Sequence, residues 1–414
     1  MLKTRINDLA IFGGLPAFEE KLHVGRPNIC NREQLIERIN DILDRRWLTN
    51  NGTYVQEFES RLAQFVGVKH CIAMCNGTVA LEITIRALGL KDEVIIPSMT
   101  FIATAHALQW QQIKPVFCDI TSETLTIDTK CVEDMITPRT TGIIGVNIFG
   151  KPCNVEELTS IAKKHNLKLI FDSAHAFGCS YNGKMIGSFG NAEIFSFHAT
   201  KFLNTFEGGA VLTNDDELAD KIRLMKNFGF ADMDKVIYIG INGKMNEVSA
   251  AMGITSLKSM DEIVELNKRN YKHYKKELEN IPGITLLTYD ERKRNNYQYI
   301  VLLIDGKITK ITRDQIMEIL HEENIIARRY FFPGCHRMEP YFSYFRNAGK
   351  FLPVTERIVE QILQLPTGTA ITPKEISEIC RILRFVIANG EKISKKLRTI
   401  YLTKPALQKR ARIA

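Results

Sequence analysis

The chain predicts an α/β protein with a large, mostly parallel sheet that is covered on both faces, followed by a smaller α+β domain. The length of 414 residues is sufficient for two hydrophobic cores. Short, continuously apolar runs at 94–97, 115–118, 142–146, 167–171 and 193–197 alternate with helical patterns at 78–89, 102–112 and 155–165. Continuously apolar strands separated by helices are typical of parallel sheets buried on both faces.

The chain divides into four predicted parts. Residues 1–30 are aperiodic and punctuated by Gly and Pro, which indicates an arm lying across a surface. Residues 31–260 form the large domain, residues 261–390 the smaller C-terminal domain, and residues 391–414 a basic tail.

Helical and strand patterns continue through the rest of the chain. A first helix is predicted after Asn31, with an apolar stripe formed by Leu35, Ile36, Ile39, Ile42 and Leu43. The segment 245–280 predicts one or two long helices. Beyond it we predict a strand at 297–304 and helices at 312–323, 354–364 and 373–388.

Charge and composition exclude several classes of protein. The net charge is +8, but residues 391–414 carry eight Lys or Arg against one acid, so the rest of the chain carries only +1. That balance argues against nucleic-acid binding and makes the tail most simply a solvated end, with an anionic membrane surface or an acidic partner as alternatives. No apolar run approaches the roughly 18 residues of a membrane span. The charged N-terminus and nine scattered cysteines favour a cytoplasmic protein without a metal site or disulfide framework.

The most informative segment is Phe195-Ser-Phe-His-Ala-Thr-Lys201, which ends an apolar strand. A lysine in this position, with Ser196 before it and Asp172 upstream, has the groups that a Schiff base with pyridoxal phosphate requires. The amine of Lys201 would bond to the cofactor, a hydroxyl would bind its phosphate, and a carboxylate would keep its pyridine nitrogen protonated. A strand-end lysine by itself is usually only solvated.

A phosphate site is also suggested by Asn76-Gly77-Thr78, between an apolar strand and a helix. Helix N-terminal amides bind anions, although Asn76 or Thr78 acting only as a helix cap explains the same residues.

Three further strand-end residues have both a structural and a functional interpretation. Asp172 either caps the next helix or faces a pyridinium nitrogen through a charge-assisted hydrogen bond. His175 is either a core residue or a partner of the ring hydroxyl. Phe101 is either a core residue or stacks on a flat cofactor ring.

These motifs resemble those of the DegT/DnrJ/EryC1/StrS sugar aminotransferases from about residue 25 to 390. The resemblance is carried by six spaced segments, at 76–81, 92–104, 171–178, 187–190, 195–201 and 207–209. It implies the aspartate-aminotransferase type of fold (fold type I of pyridoxal phosphate enzymes). It also implies a homodimer with shared active sites, and a nucleotide-linked keto-sugar as substrate.

The resemblance assigns roles by position. Lys201 matches the cofactor-bound lysine, Asp172 the partner of the pyridine nitrogen, His175 a residue near the ring oxygen and Phe101 the stacking aromatic. Gly77, Thr78 and Ser196 match the phosphate ligands. The family also sends a residue from the neighbouring subunit to the phosphate, and here either Asn242 or Lys244 of the segment 240–245 takes that place. Ser173 stands where the family usually has alanine.

The implied reaction is transfer of an amino group from L-glutamate to carbon 4 of dTDP-4-keto-6-deoxyglucose, supplying a surface polysaccharide such as O-antigen, or a glycoside. A substrate-side loop is expected around residues 327–341, where Arg328, Arg329, Tyr330 and His336 would meet the substrate; a plain surface loop is the alternative. Amination at carbon 3 is the second choice. A pyridoxal phosphate-binding regulator without turnover is an alternative of another class, and a plain nucleotide-binding module lacks a phosphate loop.

Overall fold

The computed structural model describes residues 3–29 and 31–403. Its α-helices are α1 (Arg32–Arg45), α2 (Thr53–Val66), α3 (Gly77–Ala87), α4 (Ala103–Gln109), α5 (Thr129–Asp134), α6 (Val155–Lys164), α7 (Asp216–Met225), α8 (Glu247–Lys258), α9 (Met260–Leu278), α10 (Gly306–Thr309), α11 (Arg313–Glu322), α12 (Tyr341–Tyr344), α13 (Pro353–Gln361), α14 (Pro373–Ala388) and α15 (Gly390–Thr403). Short 3₁₀ helices span Ile6–Asp8, Ala10–Phe12, Ile148–Gly150, Cys335–Arg337 and Ala348–Phe351.

The strands are β1 (Leu22–His23), β2 (His70–Met74), β3 (Glu93–Pro97), β4 (Lys114–Cys118), β5 (Thr140–Val146), β6 (Lys168–Asp172), β7 (Ser180–Tyr181), β8 (Lys184–Met185), β9 (Ala192–Ser196), β10 (Gly209–Thr213), β11 (Phe230–Asp232), β12 (Lys235–Val236), β13 (Ile284–Leu286), β14 (Ile300–Ile304), β15 (Ile325–Ile326) and β16 (Ile362–Leu365). Every strand and helix that the sequence predicted between residues 70 and 200 is present.

The central sheet has seven strands in the order β2-β10-β9-β6-β5-β3-β4 within the described residues. Strands β3, β4, β5, β6 and β9 run parallel, and β10 is antiparallel to both β2 and β9. Consequently β2, β6 and β9 end at the same edge of the sheet. The predicted fold class is confirmed.

Alternate residues of each central strand enter different apolar clusters, because side chains of a strand point to opposite faces. In β2, Ile72 packs with helices α3, α4 and α7, while Cys71 and Ala73 pack with α2 and α8. Both faces of the sheet are therefore buried under helices, as the continuous apolar runs predicted.

The C-terminal core surrounds an antiparallel sheet in the order β13-β14-β16, packed with residues from α9, α11 and α14. The N-terminal arm contributes Leu9 and Leu22 to the same core, and β1 pairs in parallel with β15. The carboxylate of Glu323 binds the ammonium of Lys3 at 2.8 Å and accepts hydrogen bonds from the arm at the backbone N–H of Ala10 and Ala17. The arm is thus joined to the C-terminal core rather than lying loosely on it.

One helix predicted in the C-terminal region is too long. The helix predicted over 354–364 ends at Gln361, and residues 362–365 form strand β16 instead. The guanidinium of Arg313 donates to the carbonyl oxygens of Val359 and Ile362 at 2.9 and 2.7 Å. These hydrogen bonds give a partner to carbonyl groups at the C-terminal end of the helix.

The tail is not simply a solvated end over its described part. Residues 390–403 form helix α15, and Ile393 and Leu397 are fully buried in the C-terminal core. The remainder of the predicted tail, residues 404–414, lies outside the described residues.

The first helix keeps only part of its predicted apolar stripe in the core. Leu35 and Ile42 are buried against α8, whereas Ile36 and Leu43 are exposed. Among the described residues, no helix is long and apolar enough to cross a membrane. In the same part of the chain, no group of three or more His, Cys, Asp or Glu side chains is arranged to hold a metal ion.

Candidate active site

A cavity of about 620 Å³ opens at the edge of the sheet where β2, β6 and β9 end. It is lined by eight of the residues that the sequence singled out, namely Gly77, Thr78, Phe101, Asp172, His175, Ser196, Lys201 and Tyr330. Ligands of open parallel α/β sheets bind beyond the carboxyl ends of the strands, and this cavity lies there.

One side of the cavity has the chemistry of an anion site. The side chain of Asn76 caps helix α3 by accepting from the backbone N–H of Val79 at 2.8 Å. The backbone N–H groups of Gly77 and Thr78 belong to the first turn of that helix, where no intrahelical acceptor exists. A Cβ added at Gly77 would lie 3.0 Å from the Cβ of Ser196, so glycine permits the helix terminus to approach this strand end closely.

Asp172 is held at the end of β6 by two donors. The hydroxyl of Thr104 donates to Oδ2 at 2.8 Å, and the backbone N–H of Ala174 donates to Oδ1 at 3.2 Å. Burial raises the pKa of Asp172, because desolvation disfavours the charged form more than these hydrogen bonds and Lys201 favour it. A cationic partner placed in the cavity would reverse that balance.

Lys201 lies in the turn after β9, where it lines the cavity, and the two residues that follow it, Phe202 and Leu203, are buried. Its backbone N–H donates to the carbonyl of His198 at 2.8 Å. Burial lowers the pKa of Lys201 from 10.5 to about 8, and the charge of Asp172 opposes this shift. A larger fraction of the amine is therefore neutral near pH 7 than for an ordinary lysine.

His175 is a neutral hydrogen-bond donor towards the cavity. Burial, and secondarily the charge of Lys201, lower its pKa well below the usual value. Because the backbone N–H of Phe149 donates to Nδ1 at 3.2 Å, the proton of the neutral ring is on Nε2. The ring stacks on Tyr299 with centroids 4.5 Å apart, which fixes its plane.

Phe101 is exposed within the cavity wall rather than packed in the core. Its side chain is 56% accessible, and its ring centroid is 6.2 Å from that of Phe331, another lining residue. An apolar ring that remains this accessible at a strand end is available to stack on a flat ligand.

The substrate-side residues divide into two groups. Tyr330 lines the cavity. Arg328 does not line it, although its guanidinium lies 5.1 Å from the centroid of the Tyr330 ring. The two others are held away from the cavity by other partners. Arg329 pairs with Asp314 at 2.9 Å, and the ring of His336 is buried between the Ser98 hydroxyl at 2.7 Å and Glu356 at 2.8 Å.

The segment predicted to serve a neighbouring subunit also lies outside the cavity. Lys244 donates to Oδ1 of Asn227 at 2.8 Å and lies 5.2 Å from the ring centroid of Phe228, so its ammonium is occupied within its own chain. Asn242 is exposed.

Sequence reasoning missed several residues in and around the site. Thr104, which orients Asp172 without lining the cavity, and Tyr299, which lines the cavity and stacks on His175, lie in segments where neither was given a role. Gln364 lines the cavity from β16, in a segment that was predicted to be helical. The position of Thr104 in the first turn of α4, shortly after β3, was the one available signal.

Ser173, the departure from the family pattern, faces away from the ligand side into a buried polar cluster. Its hydroxyl and the amide of Asn147 both hydrogen-bond Oε1 of Glu193, while the backbone N–H of Gly187 donates to Oε2 at 2.6 Å. Burial raises the pKa of Glu193 to about 7 against these hydrogen bonds. The serine therefore supplies a partner to a buried carboxyl at the beginning of β9.

Together these features describe an enzyme with an anion-binding cavity at the carboxyl edge of a parallel sheet. Residues 29–384 match the model of the DegT/DnrJ/EryC1/StrS aminotransferase family. The chain belongs to this family, which confirms the predicted family and the prediction of an aminotransferase enzyme.

Similar proteins support the same class. A dTDP-4-amino-4,6-dideoxy-D-glucose transaminase of Shigella dysenteriae is 37% identical over 88% of this chain and 99% of its own length. A GDP-perosamine synthase of Caulobacter vibrioides is 33% identical over 89% and 98%. The crystal structure of DesI in the presence of its TDP-sugar product superposes with a TM-score of 0.91 at 45% identity, covering 95% of this chain and all of that one.

Proposed function

We propose that this protein uses pyridoxal phosphate to transfer an amino group from L-glutamate to carbon 4 of a dTDP-linked 4-keto-6-deoxyhexose. The observation that carries the proposal is the convergence of Lys201, Asp172 and the anion site of Gly77, Thr78 and Ser196 on one cavity. When bound, pyridoxal phosphate supplies an electron sink and carries the amino group between the two substrates.

The residues present fit that cofactor. Free helix N-terminal amides with two hydroxyls suit a phosphate, and Asp172, buried and held by Thr104, suits a protonated ring nitrogen. Phe101 offers a face to a flat ring, and the Nε2–H of His175 is a donor for a ring oxygen. These groups come from the segments at the ends of β2, β3, β6 and β9, so the sheet itself sets their spacing.

Lys201 moves the proton in each half of the reaction. With a pKa of about 8 it is neutral often enough near pH 7 to accept a proton from the α-carbon of the donor, and it is basic enough to hold that proton. In the first half Lys201 would pass that proton on to the bound cofactor, and in the second half it would take a proton back from the cofactor and deliver it to carbon 4 of the sugar. The nearby charge of Asp172 stabilises its protonated form.

The choice of nucleotide and sugar in this proposal is based on the names of the relatives. The Shigella dysenteriae relative is described by a dTDP-linked 4-amino sugar, and the DesI structure by a TDP-sugar product, so dTDP and carbon 4 are favoured. The GDP-linked name of the Caulobacter vibrioides relative makes GDP-sugars the first alternative to test. Amination at carbon 3 is the second candidate. Both relatives are described as enzymes, which speaks against a regulator without turnover.

We also propose that the protein forms a homodimer. Phe228, Phe230, Ile237 and Ile239 are exposed around the hairpin β11–β12, beside the segment 240–245, and a second copy of this chain would cover them. Asn242, exposed and close to these residues, is then the better candidate than Lys244 for reaching the cofactor phosphate of the neighbouring subunit, because Lys244 is already bonded to Asn227. A cytoplasmic location remains a prediction.

The test is amination of dTDP-4-keto-6-deoxyglucose with L-glutamate, followed by NMR of the product. Amine at carbon 4 supports the proposal, amine at carbon 3 selects the second candidate, and no amine with any dTDP- or GDP-linked keto-sugar overturns it. Lys201→Ala is the matched control, which should fold but lose turnover. Retained transamination in that variant would contradict the role of Lys201.

A further inference from the structure

A buried amide in the cavity wall has no partner for its oxygen. Gln364 on β16 is only 4% exposed, and its Oε1 has no hydrogen-bond partner in the described part of the chain. Gln364 lines the same cavity as Lys201. Buried amide groups are normally hydrogen-bonded, because an unpaired one loses its hydration without compensation. The missing partner is therefore expected to arrive with a ligand.

The backbone holds Gln364 rigidly in this position. Its N–H donates to the carbonyl of Arg328 at 2.6 Å, and the N–H of Arg328 donates back to its carbonyl at 3.0 Å. On the other side β16 pairs with β14, where Gln364 is opposite Val301. A side chain on a strand paired on both edges is preorganised, so little ordering is needed when a ligand binds.

The surroundings of Gln364 distinguish the two substrates of the proposed reaction. The amide is neutral, and β16 and its paired segment bring the aromatic residues Tyr299, Tyr330 and Phe331 to the same cavity. The carboxylates of the donor amino acid only accept hydrogen bonds, so they leave the amide oxygen unsatisfied. A hydroxyl can donate to the oxygen while a neighbouring hydroxyl accepts from the amide nitrogen, so an adjacent pair of hydroxyls satisfies both ends of the group.

We propose that Gln364 is a specificity residue that binds a ring hydroxyl of the keto-sugar. The inference rests on the proposed function, which supplies the sugar, and deepens it by naming how the hexose is recognised. In a 4-keto-6-deoxyhexose the ring hydroxyls available for this contact are those on carbons 2 and 3. The aromatic residues around the amide suit the apolar faces of a sugar ring.

The test separates the two half-reactions in Gln364→Met, a substitution of similar length without the amide. Conversion of the bound cofactor by L-glutamate alone is expected within 2-fold of the unmodified enzyme, whereas kcat/KM for dTDP-4-keto-6-deoxyglucose falls about 10- to 100-fold. By calorimetry, dTDP-glucose is expected to bind at least about 10-fold more weakly, and dTDP alone equally well. Gln361→Met is the matched control, because Gln361 is three residues away and does not line the cavity.

Substrate analogues keep the test decisive even if the variant fails to fold. The unmodified enzyme should lose the same 10- to 100-fold with either the 2-deoxy or the 3-deoxy form of the keto-sugar, and Gln364→Met should not lose more with that analogue. A variant impaired in the L-glutamate half-reaction, or unimpaired in both, overturns the inference, as do equal rates with both analogues. Failure of the proposed function would instead appear in the unmodified enzyme, as no amination or binding of the sugar nucleotide, and the inference would fall with it.

Discussion

Replacing Lys201 by methionine is expected to stabilise the cofactor-free protein at neutral pH. Burial lowers the pKa of Lys201 from 10.5 to about 8, so folding favours the neutral amine. Below pH 8 the folded protein must either hold a poorly solvated ammonium or release its proton. Methionine has a similar length and no charge, and it therefore removes this cost.

The size of the effect follows from proton linkage. A shift from 10.5 to about 8 corresponds to about 3 kcal/mol at pH 7 and to about 1 kcal/mol at pH 10. The sign is set by the proton count: between pH 8 and 10.5 the unfolded chain binds more protons at this lysine than the folded one, so stability rises with pH. These values are upper limits, because Lys201 is only partly buried and solvent reaches it through the cavity.

Urea unfolding of both cofactor-free proteins between pH 7 and 10 measures the difference. We expect Lys201→Met to have the larger free energy of unfolding at pH 7, with the gap closing as pH rises. Lys184→Met, at an exposed strand lysine, is the control and should change stability by less than about 0.5 kcal/mol at every pH. A wild type more stable than Lys201→Met at pH 7, or a gap that does not vary with pH, would refute this account of the lysine.

Three further changes test other parts of the structure. Asp172→Asn should fold, because Thr104 can still donate to the amide oxygen, but its kcat should fall roughly 100-fold; unchanged kcat would remove Asp172 from the proposed site. Asn242→Ala should weaken cofactor retention on dialysis about 10-fold, whereas Lys244→Met should mainly lower Tm; the reverse result would exchange their roles. Leu397→Ala should lower the free energy of unfolding by about 2–4 kcal/mol in urea titrations, and no change would mean that α15 does not contribute to the core.

The cavity could be anticipated from the sequence because its residues come from successive strand ends. Asp172 and Ser196 end neighbouring parallel strands, and Gly77 begins the helix after β2. Once the apolar runs predict a parallel sheet, these positions must meet at one edge. Local sequence and global topology agree here, so the spacing of the motifs was sufficient to predict which of these residues lie together.

Contacts that depend on long-range packing could not be predicted from the sequence in this way. His336 and Arg329 have the residue types expected of a substrate site, but their partners Glu356 and Asp314 turn them away from the cavity. Gln364 was hidden because the segment 354–364 has a helical apolar pattern, and its last residues become a strand only through pairing with β14. The basic composition of the tail likewise concealed Ile393 and Leu397, whose burial requires the C-terminal core.

The most direct test of the central claim is the absorbance spectrum of the purified protein before and after L-glutamate. The account predicts a visible band of pyridoxal phosphate bound through Lys201, which L-glutamate bleaches and dTDP-4-keto-6-deoxyglucose then restores. The band should be absent in Lys201→Ala. If no band appears even after pyridoxal phosphate is added, the assignment of Lys201 and Asp172 to a cofactor site is contradicted.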